Sequence, residues 1–315
     1  MRSMQELGVL IALIVLCIAL FIATPLFLTA PNLLKVARQA SYIGIMAVGM
    51  VFVVSMGEID LSVGSILTLT NIVAALALRA GLPIPVAVLI GLAAGGVCGF
   101  INGTLAVLLR IPTIIVTLGT LSVFRGIALV LCNNAPISQF PKTGFFFDII
   151  GGNITSLNIP ASVILMLLAA VAGWLVLTRS VFGRRVQAIG GNEQSARLSG
   201  INNNRYRIGV MTLNGIIAAF AGIIALAFLQ SADPTTGPGY ELWVIASVII
   251  GGTALSGGHG SVPGAILGAL IIYVIRNGLV LLGAPSNTDT AVTGGAIIIA
   301  VAIDSFVRRR AQTRT

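Results

Sequence analysis

Glu58 and Asp60, two carboxylates in the stretch MGEIDLSVGS, are the residues best placed by type and spacing to do chemistry in this chain. They are the only charges between Arg38 and Arg79, and apolar sequence surrounds them. An ionised side chain at the centre of a bilayer costs roughly 2.5–3.5 kcal/mol even on insertion scales, so the two would not both face lipid. Either a helix break at Gly57 or Gly64 lets them line a cavity, or they occupy a short turn between two spans at the membrane surface. Both readings stay open at this level.

The other reactive residue types are scarce enough to exclude whole classes of chemistry. The lysines are Lys35 and Lys142, and neither follows the glycine spacing of a phosphate-binding loop. His259 is the single histidine, which removes two-histidine zinc motifs and leaves one candidate base for a Ser-His-Asp triad. Cys17, Cys98 and Cys132 lie far apart in or beside apolar runs, without metal or redox spacing, and read as small core residues. No cofactor and no metal is called for. Arg125 and Arg276 sit well inside apolar runs. Each either neutralises an intramembrane acid or lines a pathway, or it reaches along its stem to the interface, the simpler reading.

The elements that must position these residues follow from composition. Of 315 residues 57% are hydrophobic and only 9% charged, with a mean hydropathy of +1.05. Soluble domains carry about 25% charged residues, so the chain is an integral membrane protein. The fold class is all-α, polytopic, with about ten transmembrane helices, since helices are the open-ended element a bilayer tolerates. The apolar runs are 7–28, 40–57, 61–79, 82–109, 111–132, 158–178, 208–231, 242–256, 261–283 and 290–307. The run from Leu7 to Leu28 is longer than a signal-peptide core of about 7–15 residues and reads as the first span. The glycine-dense stretch 91–103 reads as a tightly packed span. The chain forms a single transmembrane domain, residues 1–315.

Two hydrophilic stretches interrupt the runs. Residues 133–157 contain Pro136, Pro141 and several glycines, and read as an irregular loop or a short surface helix. Residues 179–207 carry Arg179, Arg184, Arg185, Arg197, Arg205 and Arg207 against a single acid, Glu193. The positive-inside rule puts that second stretch in the cytoplasm together with the tail arginines 308, 309, 310 and 314. Both termini are then cytoplasmic and 133–157 is outside. Lys35, Arg38 and Arg79 fall outside too, against the rule. The net charge of +9 is spent on orientation; no basic run is interleaved with aromatics, which argues against nucleic acid.

Within 179–207, Asn192 is an N-cap and Gly200 a C-cap for a short helix. That helix either lies on anionic membrane lipid or docks a cytoplasmic partner. Residues 251–268, GGTALSGGHGSVPGAILG, are either a broken or re-entrant segment or a turn followed by a small-residue helix. The second reading is favoured for 264–268, and 251–261 stays undecided.

Five stretches carry a family resemblance: IMAVGMVFVVSMGEIDLSVGS (45–65), IPTIIVTLGTLSVFRGIALV (111–130), GRRVQAIGGNEQSARLSGI (183–201), SADPTTGPGYEL (231–242) and GGTALSGGHGSVPGAILGALI (251–271). In this order and over most of the chain they resemble the membrane-spanning permease subunits of bacterial ABC importers for monosaccharides. Asp60 matches the family's pattern, whereas Glu58 stands where members often carry an uncharged residue.

The resemblance implies a multi-pass permease in the bacterial inner membrane that forms the pathway for ribose or a related monosaccharide. It is not an enzyme, because ATP hydrolysis belongs to a cytoplasmic ATP-binding subunit. A periplasmic sugar-binding protein and a second permease subunit, identical or different, are the further partners. By the same resemblance Gly191, Asn192, Glu193, Ala196, Arg197, Ser199 and Gly200 form the element that docks the ATPase, and Asp233 to Glu241 meets the binding protein. Asp60, Ser62, Ser65, Thr68 and Asn71 are the candidate pathway groups; spaced three apart from Ser62, the last four lie along one side of a helix. The rival is an ion-coupled secondary sugar carrier using Glu58 and Asp60. A membrane enzyme lacks a convergent set of acids, histidine or nucleophile, and a channel lacks a filter motif.

Overall fold

Apolar runs of this length satisfy their backbone only as helices, and the computed structural model is helical almost throughout. It describes residues 2–154, 158–285 and scattered positions between 288 and 298. The order is α1 (Arg2–Ala23), α2 (Ala30–Ser55), α3 (Val63–Arg79), α4 (Ile84–Leu109), α5 (Thr113–Leu131), α6 (Ala161–Arg179), α7 (Val181–Gly191), α8 (Glu193–Leu198), α9 (Asn203–Leu229), α10 (Tyr240–Ile250) and α11 (Val262–Leu281). Between α5 and α6 lie a π-helical turn at Phe146–Ile150 and two paired two-residue strands, β1 (Asn153–Ile154) and β2 (Ile159–Pro160).

Among the described residues seven helices, α1, α2, α4, α5, α6, α9 and α11, are long and apolar enough to cross a membrane. Helices α3 and α10 are shorter. Nine of the ten apolar runs therefore carry a helix; the tenth, 290–307, is described only at scattered positions, and the basic tail lies outside the described residues.

α2 is the centre of the bundle, 78% buried over its most apolar window, whereas α1 buries 6% of its own and turns Leu7, Ile11, Ile14 and Ile18 outward. α2 begins ten residues before the apolar run that marks it, with Pro31 in its first turn. The early start takes Lys35 and Arg38 into the helix. Arg38 is accommodated because its guanidinium lies 4.1 Å over the Phe228 ring, donates to the Gly151 carbonyl at 3.2 Å and bonds Asn153.

The closest helix pair is α4 with α9. Gly91, Gly95, Gly99 and Gly103 recur every fourth residue on α4, so they share one face. A methyl group at Gly99 would strike the Met211 carbonyl, and one at Gly95 would meet Gly215 and Ala219. The glycine-dense stretch is the tightly packed span its composition predicts.

The connections gather at two ends. One end holds 56–62, 180–202 and 251–261: Gly258 donates to the Ser55 carbonyl at 2.8 Å, and Ser261 donates to Glu6 at 2.6 Å. The opposite end holds 132–154, 158–160 and 230–232. There Ile137 and Ala232 form a β-bridge, and Asn32 and Asn277 bond reciprocally at 2.8–2.9 Å.

Candidate functional site

α2 stops where Gly57 enters the left-handed region at φ 83°. The Gly57 N–H donates to Val54 and the Glu58 N–H to Val53, at 2.9 and 3.1 Å. This paired cap closes a helix end through a glycine without a Cβ clash. The break falls at Gly57, and Gly64 lies inside α3.

Glu58, immediately beyond the cap, accepts from Arg207 Nε of α9 at 2.7 Å. It sits in a turn at the bundle's end with its charge matched. Asp60 is fully buried. Its Oδ1 accepts from the Ser62 N–H at 2.8 Å and from Ser62 Oγ at 2.6 Å, and its Oδ2 accepts from Asn214 Nδ2 of α9 at 2.9 Å. Ser62 Oγ accepts in turn from Asn102 Nδ2 of α4 at 2.8 Å. A buried carboxylate is tolerated when donors replace its water. Here they come from Ser62 at the start of α3 and Asn214 of α9, so Asp60 fastens the start of α3 to α9 directly and to α4 through the Ser62–Asn102 bond. Neither acid is an open carboxylate, and among the described residues no group of three or more His, Cys, Asp or Glu could hold a metal ion. Nothing in this arrangement favours the ion-coupled carrier.

The α3 stripe is covered. Ser65, Thr68 and Asn71 are each at most 5% exposed. Thr68 Oγ1 bonds the Gly64 carbonyl at 3.0 Å and also the Thr236 carbonyl. Gly237, at φ 110°, packs directly on Gly64. Asn71 is enclosed with neither its Nδ2 nor its Oδ1 bonded. A buried amide group left without a partner costs about 1–3 kcal/mol.

The expected span at 242–256 is corrected: the helix there runs only from Tyr240 to Ile250. After α9 the chain descends in irregular form through 231–239 against the inner half of α3, and α10 begins only at Tyr240. Eleven residues rise about 16 Å, roughly half of a bilayer core. The crossing is therefore half irregular segment and half helix, with unpaired backbone tolerated because it is buried in protein. α10 ends at Gly251, and 251–261 is a glycine turn at the opposite end, with Gly252, Gly257 and Gly258 all at positive φ.

Arg276 does not reach away along its stem. Its guanidinium lies 3.7 Å over Trp243 and 5.2 Å from the Tyr273 ring centre, and Trp243 also packs on Tyr240 at 4.9 Å. Aromatic faces attract a cation in a weakly hydrated setting. Arg125 keeps one enclosed nitrogen without a hydrogen-bond partner.

At the end shared with Glu58, the 179–207 stretch is ordered by the caps its sequence signals. Asn192 Oδ1 accepts from the Ser195 N–H at 2.8 Å, and Gly200 at φ 80° closes α8. Glu193, Gln194, Arg197 and Gly200 border a surface cavity of about 850 Å³. Ala196 is buried and anchors the helix, while Leu198 is 81% exposed. Sequence reasoning passed over Leu198, because an apolar residue among arginines gives no signal until its direction is known. Arg207 was counted there only as a positive charge; it also reaches Glu193 at 3.3 Å.

Comparison with known proteins adds to this geometry. A family model described as "Branched-chain amino acid transport system / permease component" matches residues 32–301. The ribose import permease protein RbsC of Bacillus subtilis (strain 168) is 42% identical, covering 96% of this chain and 93% of its own. RbsC of Escherichia coli (strain K12) is 41% identical over 96% and 94%. The xylose transport system permease protein XylH of Escherichia coli (strain K12) is 35% identical over 90% and 87%. A solved chain of a metal-chelate type ABC transporter in an inward-facing conformation is similar in fold, with a TM-score of 0.51, 12% identity, and coverage of 98% of this chain and 99% of that one.

Proposed function

The chain belongs to the branched-chain amino acid transport system / permease component family, and on that premise we propose that it forms the path by which an ATP-driven importer moves ribose or a related monosaccharide through the inner membrane. It is a membrane-embedded permease subunit of an ABC importer and not an enzyme; an ATP-binding subunit and a substrate-binding protein complete the machine. The observation that carries the sugar assignment is the 41–42% identity, across 96% of the chain, to permeases named for ribose.

The pathway groups proposed are Asp60, Ser62, Ser65, Thr68 and Asn71. Hydroxyls and amides suit an uncharged polyol, which needs exchangeable hydrogen bonds and no fixed countercharge. In the conformation described, the 231–239 segment lies on this stripe, and Asn71 holds two unmade bonds. Displacing the segment would open the stripe to the sugar, and Asp60 would keep its inner end tied to α4 and α9.

Gly191, Asn192, Glu193, Ala196, Arg197, Ser199 and Gly200 are proposed as the ATPase-docking element, with 179–207 cytoplasmic and close to anionic lipid. Residues 133–157 form the periplasmic loop, and both termini are cytoplasmic. The position of these two loops at opposite ends of the bundle supports that orientation, as does Glu6 at the end holding 179–207. A second permease subunit, identical or different, completes the pore.

The test is labelled-ribose uptake into proteoliposomes. The chain alone under a proton or sodium gradient is compared with the complex containing its ATP-binding subunit, lumenal ATP and external binding protein. Uptake only by the ATP-supplied complex is expected. Gradient-driven uptake by the chain alone would overturn the reading.

A further inference from the structure

We propose that Arg207 is the positioning residue that couples the ATPase-docking helix to the start of α3, an inference that rests on the permease reading above. Arg207 lies on the second turn of α9 and holds two acids from different parts of the chain. Its Nε donates to Glu58 at 2.7 Å, in the α2–α3 connection, and its Nη2 donates to Glu193 at 3.3 Å, the first residue of α8. Asn203, at the start of α9, also donates to the Glu193 backbone carbonyl at 2.9 Å.

Seven residues further along α9, Asn214 donates to Asp60. Seven residues are close to two turns, so Arg207 and Asn214 share a face about 10 Å apart. α9 therefore grips the α2–α3 connection twice, at Glu58 and at Asp60, and Ser62 passes the second grip to Asn102 of α4. The connection has no regular structure between Gly57 and Ser62, so these grips, together with the Leu61 N–H bond to Thr117 of α5 at 3.1 Å, position α3's first turn. Arg207 joins this grip to α8 through its second bond, to Glu193.

The two arms differ in strength. The Glu58 side chain is 14% exposed and that of Arg207 20%, so their bond is shielded from solvent, whereas Glu193 is 58% exposed. A solvent-exposed pair is weak and screened by salt. The Glu58 arm is thus the permanent one. The Glu193 arm can be made and broken as a partner moves α8, which lets α8 shift without releasing α3 from α9. Guanidinium geometry permits this, since its donors project in a fixed fork toward two acceptors at once.

The test uses the complete importer in proteoliposomes with sugar-loaded binding protein, measuring ribose imported, ATP hydrolysed, and stimulation of hydrolysis by the binding protein. Arg207→Gln is expected to assemble and to hydrolyse ATP at the unstimulated rate. It should lose most of the stimulation and raise ATP spent per ribose at least tenfold. Arg207→Lys, which keeps one charged bond to Glu58, should recover much of the coupling. An Arg207→Gln complex with the wild-type ratio of ATP to ribose overturns the proposal, even if it is slower, and so does failure of Arg207→Lys to improve on it. If Arg207→Gln does not assemble, Glu58→Gln is judged by the same ratio. Absence of ATP-driven ribose uptake in the unaltered complex would instead remove the permease reading itself.

Discussion

Asp60 and Asn214, 154 positions apart, meet at 2.9 Å where the start of α3 passes α9. The carboxylate has no exposed surface and is held by donors on both oxygens. One short side chain thus ties the start of α3 to α9 directly and, through Ser62, to α4.

Removing that carboxylate strands the donors that point at it. Leaving a buried neutral donor such as the Ser62 N–H or Asn214 Nδ2 without its acceptor costs about 1–3 kcal/mol each. Asp60→Ala is expected to lower the apparent melting temperature of the detergent-solubilised chain by roughly 10 °C. Asp60→Asn, which keeps an acceptor oxygen, should lose less. Intrinsic-fluorescence melting curves measure both.

Asn71 separates stability from transport. Its amide is buried with no bond made, so replacing it removes an unfavourable burial instead of a contact. Asn71→Leu is expected to keep or raise the melting temperature while cutting ribose uptake by the assembled complex at least tenfold. Unchanged uptake would take Asn71 out of the pathway. Thr68→Leu should impair both readouts, because it also breaks the bond to Thr236.

Close approach of α4 and α9 makes Gly99 intolerant of any side chain. A Cβ there strikes the Met211 backbone, whereas Gly119 and Gly126 on α5 have open space at that position. Gly99→Val is expected to reduce the monodisperse folded fraction in size-exclusion chromatography several-fold. Gly119→Ala and Gly126→Ala should leave it unchanged.

Leu198 projects from a helix otherwise polar on its outer side. Burying a leucine side chain against a partner contributes about 1.5–3 kcal/mol, so Leu198→Glu should weaken binding of the ATP-binding subunit by about tenfold or more. Its melting temperature should not move, because the residue supports nothing within the chain. Pull-down titration of the two purified subunits reads the first effect.

Local sequence signals determined much of this protein. Apolar runs longer than a bilayer core requires can satisfy their backbone only as helices, and nine of the ten runs carry one. Asn192 and Gly200 bracket α8, and Gly57 ends α2, because capping depends on residues within one turn of the helix end. The four-residue glycine spacing of α4 likewise declares a packing face.

What only the tertiary structure decided involves residues far apart in the chain. α2 starts early because Gly151, Asn153 and Phe228 receive Arg38, and no window around Arg38 contains them. α10 is half a span because it ends at Ile250, where 251–256 turns away, while the preceding segment, packed on Gly64 and Thr68, forms the other half of the crossing. The pairing of Arg207 with Glu58 across 149 positions, the enclosure of Asp60 and the outward direction of Leu198 belong to the same class. Hydropathy and capping act along the chain over one or two turns. The partner of a buried charge is set by which helices come to lie side by side, and that is decided by packing across the whole bundle.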